Sequence, residues 1–348
     1  MEPYRASPGC APPDMAPYRG ENRCQGVGRG LGVCEVDVDK SVVLRGWRWT
    51  TAVIDDRLHL VKLKIRPTDL CGVFRGSDAV TSGVLTADQL RGPYFRRLYR
   101  DVYLPAGMPI THSLRCEGAA LVLPTAAVLT GRSAATLRGI PLARATDPVE
   151  IVMPLETRIA RRSGLDVRRS DLTAKEFTPW LGIGLATPLR TSLDLLLDRT
   201  LPDAVADLDA VLGAGLVDLG ALQRMVTERH DRGIVAARRA AELADSRAES
   251  RPESRLRVYL VLDGLEPVPQ YLVCDWQGVV ARVDLGFPYE RLAVEYDGEW
   301  HGEWRQISAD RERLNRLQAV GWDVLFVTAR QLRDPAAVVA SVRTAFAR

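Results

Sequence analysis

Lysine is almost missing from this chain. It occurs only at Lys40, Lys62, Lys64 and Lys175, so arginine carries nearly all the positive charge and no ammonium group lies beyond residue 175. Paired cysteines are missing as well. Cys10, Cys24, Cys34, Cys71, Cys116 and Cys274 form no Cys-x-x-Cys and have no histidine at finger spacing, which argues against a zinc ribbon or finger. They are too few and too scattered for a disulfide framework in a chain this large, so a reducing cytoplasm is the expected setting. No apolar run is long enough to span a bilayer: "GAALVLPTAAVLTG" is interrupted by Pro124. The opening "MEPYRASPGC" lacks the apolar core of a signal peptide. The net charge of +3 is too small to argue for nucleic acid by itself. A soluble protein with no membrane role is expected.

What is present is an ordinary globular composition, 46% apolar and 26% charged, over 348 residues. That length suits two or three domains, each with its own core. Residues 1–70 contain the Pro-, Gly- and Arg-rich "APPDMAPYRGENRCQGVGRGLG" and read as a disordered leader, or as sequence ahead of a true start near Val73. In residues 71–107, "GSDAVTSGVLTADQLRGPYFRRLYRDVYLPAG" reads as helix, turn at Gly83, helix and hairpin, with Thr86 and Gln89 at capping-box spacing. This is the plan of a small winged helix, and equally of a protein-docking module.

Residues 108–245 read as a mixed but mostly helical domain. "THSLRCEGAALVL" and "TAAVLTGRSAATLRGI" are expected to be helical, "PVEIVMP" and "LDVRRSDL" to be strands. Arg158, Arg161, Arg162, Arg168 and Arg169 cluster there and are read as a solvated edge rather than a phosphate track. His230 reads as a surface group, and His59 and His112 have no companions in the sequence. Residues 246–348 predict an αβββαβα order, with a helix started by Ser250 or Pro252 and stopped by Gly264. Turns are expected at Trp276-Gln277-Gly278 and Pro288-Tyr289-Glu290. The overall class is multi-domain α/β of the α+β kind.

The chemistry concentrates in "VVARVDLGFPYERLAVEYDGEWHGEW". Strand alternation puts Glu295 and Asp297 on one face, and folding the hairpin brings Asp284 opposite Val294 or Glu295. Three carboxylates so close need a partner, most simply a divalent cation with oxygen ligands, Mg2+ or Mn2+. Glu253, on the preceding helix, is a fourth acid placed to lie over the sheet. The plainer alternative is an ion-pair network with Arg282, Arg291, Arg311 and Arg313.

These residues also carry a likeness. The helix with Glu253, "RVDL" with Asp284, "AVEYDG" with Glu295, then His301 and "DRERLNRLQAVGWDVLFVT", together resemble the PD-(D/E)XK nuclease superfamily. More narrowly, they resemble the very-short-patch-repair-type endonuclease-like domains of actinobacterial proteins, over about Arg247 to Thr328. Residues 74–240 resemble the AbiEi-type antitoxin layout through "RSAATLRGI", "DVRRSDL" and "TPLRTSLDLL", which implies DNA and a protein partner as binding candidates. The nuclease likeness implies a restriction-endonuclease-like fold with Asp284 and Glu295 as Mg2+ ligands, supported by Glu253. Bound there, the metal would polarise the scissile phosphate and activate water. The family's lysine, two residues after the second acid, is Asp297 here. The resemblance then implies that positive charge comes from Arg311, Arg313 or His301, or from a second metal held by Asp297, with His301 as the alternative general base.

Two functions follow as expectations. One is a Mg2+-dependent DNA endonuclease targeted by the winged helix. The other is a catalytically inactive, antitoxin-type DNA-binding regulator in which the nuclease-like fold persists without its chemistry.

Overall fold

The computed structural model describes residues 72–157, 163–298 and 304–347, with only the backbone of 304–310, and two short strands further upstream. Those strands, β1 (Val43–Leu44) and β2 (Trp47–Arg48), pair antiparallel. The rest of the expected leader, Arg158, Arg161, Arg162 and His301 lie outside the described residues.

The N-terminal unit runs β3 (Phe74–Arg75), α1 (Gly76–Thr81), α2 (Ala87–Arg91), β4 (Phe95–Tyr99) and β5 (Val102–Pro105). Its sheet has the order β3-β5-β4. The turn between the helices uses Gly83 at φ +72. The capping box is formed: Gln89 N–H donates to Thr86 Oγ1 at 3.1 Å, and Thr86 N–H to Gln89 Oε1 at 2.7 Å. Asp101, at φ +64 in the hairpin turn, accepts from Ser77 N–H at 2.8 Å and from its hydroxyl at 2.6 Å, tying the hairpin to the start of α1. Phe74, Ala79, Leu85, Leu90 and Phe95 make the small core.

The middle region contains α3 (His112–Ala120), β6 (Val128–Leu129), α4 (Gly131–Leu137), β7 (Val149–Met153), β8 (Leu165–Arg169), β9 (Phe177–Trp180) and β10 (Ile183–Ala186). Four helices follow: α5 (Pro188–Leu196), α6 (Leu201–Gly213), α7 (Leu219–Glu228) and α8 (Ile234–Leu243). The mixed sheet has the order β8-β7-β6-β10-β9. Here "TAAVLTG" departs from the helical expectation. Val128 and Leu129 form a buried central strand too short to show a period, and α4 begins right after it at Gly131, which has φ +53. A Cβ on Gly131 would lie 1.9 Å from the Glu150 carboxylate, which accepts the Arg132 N–H at 2.8 Å.

Several charged groups in this region are buried. Arg190 is fully buried and pairs with Glu176 and Asp194, both at 3.0 Å. Arg168 also pairs with Asp194, so it belongs to this network rather than to a solvated edge; Arg169 is exposed. His112, without companions in the sequence, is buried between Arg144 O (3.1 Å) and Ser133 Oγ (2.8 Å). A carbonyl only accepts, so Nδ1 carries the proton and Nε2 accepts from Ser133. His230 is exposed, as expected.

The C-terminal unit is α9 (Arg251–Leu262), β11 (Val268–Asp275), β12 (Gly278–Phe287), β13 (Leu292–Asp297), α10 (Trp304–Ala319), β14 (Asp323–Thr328) and α11 (Pro335–Phe346), with a 3-10 turn at Gln331–Arg333. The order αβββαβα is the one expected. The sheet runs β11-β12-β13-β14, antiparallel except that β14 lies parallel to β13. One face packs Leu285, Leu292, Val294 and Val327 against Leu256 and Leu260 of α9 and Val338 and Val342 of α11. A second cluster gathers Val283 and Ala293 with Leu317 of α10 and Trp322.

The three regions are not separate at residues 107 and 246. Val102 and Leu104 of β5 share a core with Cys116 and Ala119 of α3 and with the middle sheet. Helix α9 has two faces: Leu256 and Leu260 meet the C-terminal sheet, while Val258 belongs to the core of the middle helices. Arg257 reinforces that second face, donating to Asp209 at 2.8 Å and to Leu243 O at 2.7 Å. Among the described residues no helix is long and apolar enough to cross a membrane.

Candidate active site at a fork in the C-terminal sheet

The ladder between β12 and β13 pairs Phe287 with Leu292, Gly286 with Ala293 and Leu285 with Val294, and continuing it sets Asp284 across from Glu295. At that point the strands part. The Asp284 carboxylate enters the gap and accepts the backbone N–H of Tyr296 at 2.9 Å, replacing a strand-to-strand bond with a side-chain bond. This fixes the Asp284 side chain against β13, the first requirement of a preorganised site.

Glu295 is only 7% exposed. Its Oε1 accepts from Arg313 of α10, and the same Arg313 nitrogen donates to Arg282 O at 2.9 Å. Glu253, in the first turn of α9, shares a stripe with Leu256 and Leu260, which carries it to the sheet. Its Oε2 accepts from Glu249 N–H at 3.1 Å and from the Gln270 side chain at 3.0 Å. Glu249 in turn pairs with Arg282 at 2.7 Å.

Burial pushes the Asp284 carboxyl up to about 6, aided by the negative charge of Glu253 and opposed by the Tyr296 hydrogen bond and by Arg313. Burial likewise pushes Glu295 up to about 7, with Asp284 adding to the rise and Arg313 opposing it. Two facing acids that both favour the neutral form mark a place short of positive charge.

The expected residues are thus partly assembled. Asp284, Glu295, Glu253 and Arg313 come together. Asp297 closes β13, but the leading charges acting on Asp284 are Glu253, Arg313 and Glu249, and those on Glu295 are Asp284 and Arg313, not Asp297. Arg311 is exposed, two residues before Arg313 on the same helix, so the two point to different sides. Arg291 sits at φ +52 in the β12–β13 turn, beside Gly321. His301 is outside the described residues. Gln270 and the carbonyl of Arg282 had no signal in the sequence beyond a polar residue inside "PVPQYLV".

As a hard-cation site, the donors fit in kind and only partly in number. Among the described residues no group of three or more His, Cys, Asp or Glu is gathered closely enough to hold an ion unaided. Mg2+ commonly takes one or two carboxylates and completes its shell with water and substrate phosphate, which a facing Asp and Glu permit.

No protein-family profile matches the chain. Two relatives from Mycobacterium tuberculosis, the uncharacterized proteins MT2308 (strain CDC 1551) and Rv2248 (strain H37Rv), are each 36% identical over 164 residues. That match covers 45% of this chain and 60% of each relative. A solved structure, the RV2827C protein of Mycobacterium tuberculosis, covers 60% of this chain and 85% of its own at 15% identity; its TM-score of 0.35 is too low to carry an argument.

Proposed function

We propose that the chain is a metal-dependent DNA endonuclease whose hydrolytic centre is the Asp284–Glu295 pair. The observation that carries this reading is two buried or half-buried carboxylates facing each other where two strands part, both held above the ordinary carboxylate range. A divalent cation held by Asp284 and Glu295, Mg2+ or Mn2+, supplies Lewis-acid polarisation of the scissile phosphate when bound. Tyr296 N–H orients Asp284, and Arg313 orients Glu295. Arg313 also offers the fixed positive charge for the phosphate that the missing lysine leaves wanting. The exposed Arg91, Arg96, Arg97 and Arg100, on α2 and around the β4–β5 hairpin, are the candidates for phosphate-backbone contacts that position DNA.

One observation favours the regulator. Arg313 already gives Glu295 a protein cation, which an inactive site requires and an active one must accommodate. Cleavage of supercoiled plasmid and of mismatched and single-stranded oligonucleotides, with Mg2+, Mn2+ or EDTA, separates the two. The endonuclease predicts metal-dependent nicking that is lost in Asp284→Asn and Glu295→Gln. Duplex binding unchanged by EDTA, with no cleavage of any substrate, would overturn it in favour of the regulator.

A further inference from the structure

Gln270 stands out by its backbone. It lies inside β11, yet its φ is +50, a left-handed conformation that side chains with a Cβ rarely adopt and that is disfavoured in a strand. The ladder pairs Pro269 with Leu285 and Tyr271 with Val283, so Gln270 sits across from Asp284. Its side-chain amide donates to Glu253 Oε2 at 3.0 Å. Two neighbours adapt to the kink. Tyr271 lies over Gly286, where an added Cβ would meet the Tyr271 Cβ at 2.6 Å, and its ring stacks on Trp322 with centroids 5.4 Å apart. Strain of this kind persists only where surrounding structure enforces it, and it concentrates at functional sites.

We infer that Gln270 is a positioning residue that holds the Glu253 carboxylate toward Asp284, completing the acidic side of the site. An amide suits the task. Its N–H fixes one oxygen of Glu253 without adding charge, so the acid stays available to a cation or to water on it. Arginine or lysine there would neutralise Glu253, and a second carboxylate would repel it. The inference rests on the endonuclease reading.

The test measures Mn2+ binding by calorimetry and Mn2+-dependent plasmid nicking side by side. The proteins are wild type, Gln270→Gly, Gln270→Glu, Glu253→Gln and the Gln270→Gly/Glu253→Gln double variant. Glycine accepts φ +50 without strain, so Gln270→Gly is expected to melt no lower than wild type while losing the amide. Its half-saturating Mn2+ concentration should rise by roughly 10-fold, the usual scale for groups that orient a ligand, with a smaller change in maximal rate. Gln270→Glu should shift it at least as far. In the Glu253→Gln background, Gln270→Gly should add nothing, because the amide acts through that carboxylate; a purely structural role would add its loss in both backgrounds. An unchanged Mn2+ dependence in Gln270→Gly, or additive losses, would overturn the role of Gln270 and leave the endonuclease standing. A wild type that neither binds Mn2+ nor nicks overturns the endonuclease and the positioning role with it.

Discussion

Asp284 and Glu295 keep their protons to about pH 6 and 7 because burial, and then a neighbouring acid (Glu253 for Asp284, Asp284 for Glu295), penalises their charged forms. The unfolded chain releases the same protons near 3.8 and 4.5. Between those limits the folded state binds more protons, so stability falls as pH rises from about 4 through 7 and then levels. Asp284→Asn removes the penalty and keeps an acceptor for Tyr296 N–H. In EDTA its melting temperature should exceed that of wild type at pH 8 and converge with it near pH 4. A lower melting point at pH 8 would instead mark Asp284 as part of a stabilising ion-pair network. Protons also compete with any cation at these oxygens, so Mn2+ affinity should increase between pH 6 and 8. At this scale the sequence narrowed the place across from Asp284 to Val294 or Glu295; the ladder pairs Val294 with Leu285, which leaves Glu295. The sequence could not tell that Arg311 and Arg313 part company, because helix phase relative to the sheet is set by packing. Nor could it reveal Gln270, whose left-handed φ has no residue-type signature.

The elements of the C-terminal unit were legible in order and nearly in extent, since Ser250, Gly264, the two turns and Gly321 punctuate strong periods. The middle sheet was less so. Val128–Leu129 and the pair Phe177–Trp180 with Ile183–Ala186 are short strands defined by their neighbours rather than by their own pattern. Element geometry makes two further predictions. Gly286→Ala forces a Cβ into the Tyr271 side chain near its root, where rotation gives no relief, and should cost about 1–3 kcal/mol by denaturant unfolding. Thr86→Ala removes one half of the capping box on the five-residue helix α2 and should cost about 1 kcal/mol. If α2 positions DNA, the same change should weaken duplex binding.

Across the molecule, Asp207 gathers the most arginines of any carboxylate among the described residues. Fully buried on α6, it pairs with Arg132 at 2.6 Å, Arg199 at 3.6 Å and Arg251 at 2.7 Å. Arg251 opens the helix that bears Glu253, so this one carboxylate ties helices α4 and α6 to the rim of the candidate site. Asp207→Ala leaves Arg132 and Arg251 without their buried carboxylate, while Arg199 keeps Glu150, and should destabilise by about 3–5 kcal/mol in chemical denaturation. A loss under about 1 kcal/mol would show that water enters the cluster and screens it. Length and composition pointed to two or three domains, each with its own core. They missed the joints, because a helix with two apolar faces reads in sequence as simply more apolar.

The two faces of α9 bear on how such a protein changes over evolutionary time. A recombination breakpoint on either side of Arg251–Leu262 strips a wall from one core, whichever parent supplies the helix. Exchange of the C-terminal unit between genes is therefore selected against unless the incoming helix matches both neighbours. Viable hybrids of this chain should carry their crossovers elsewhere, with α6 and α9 inherited together.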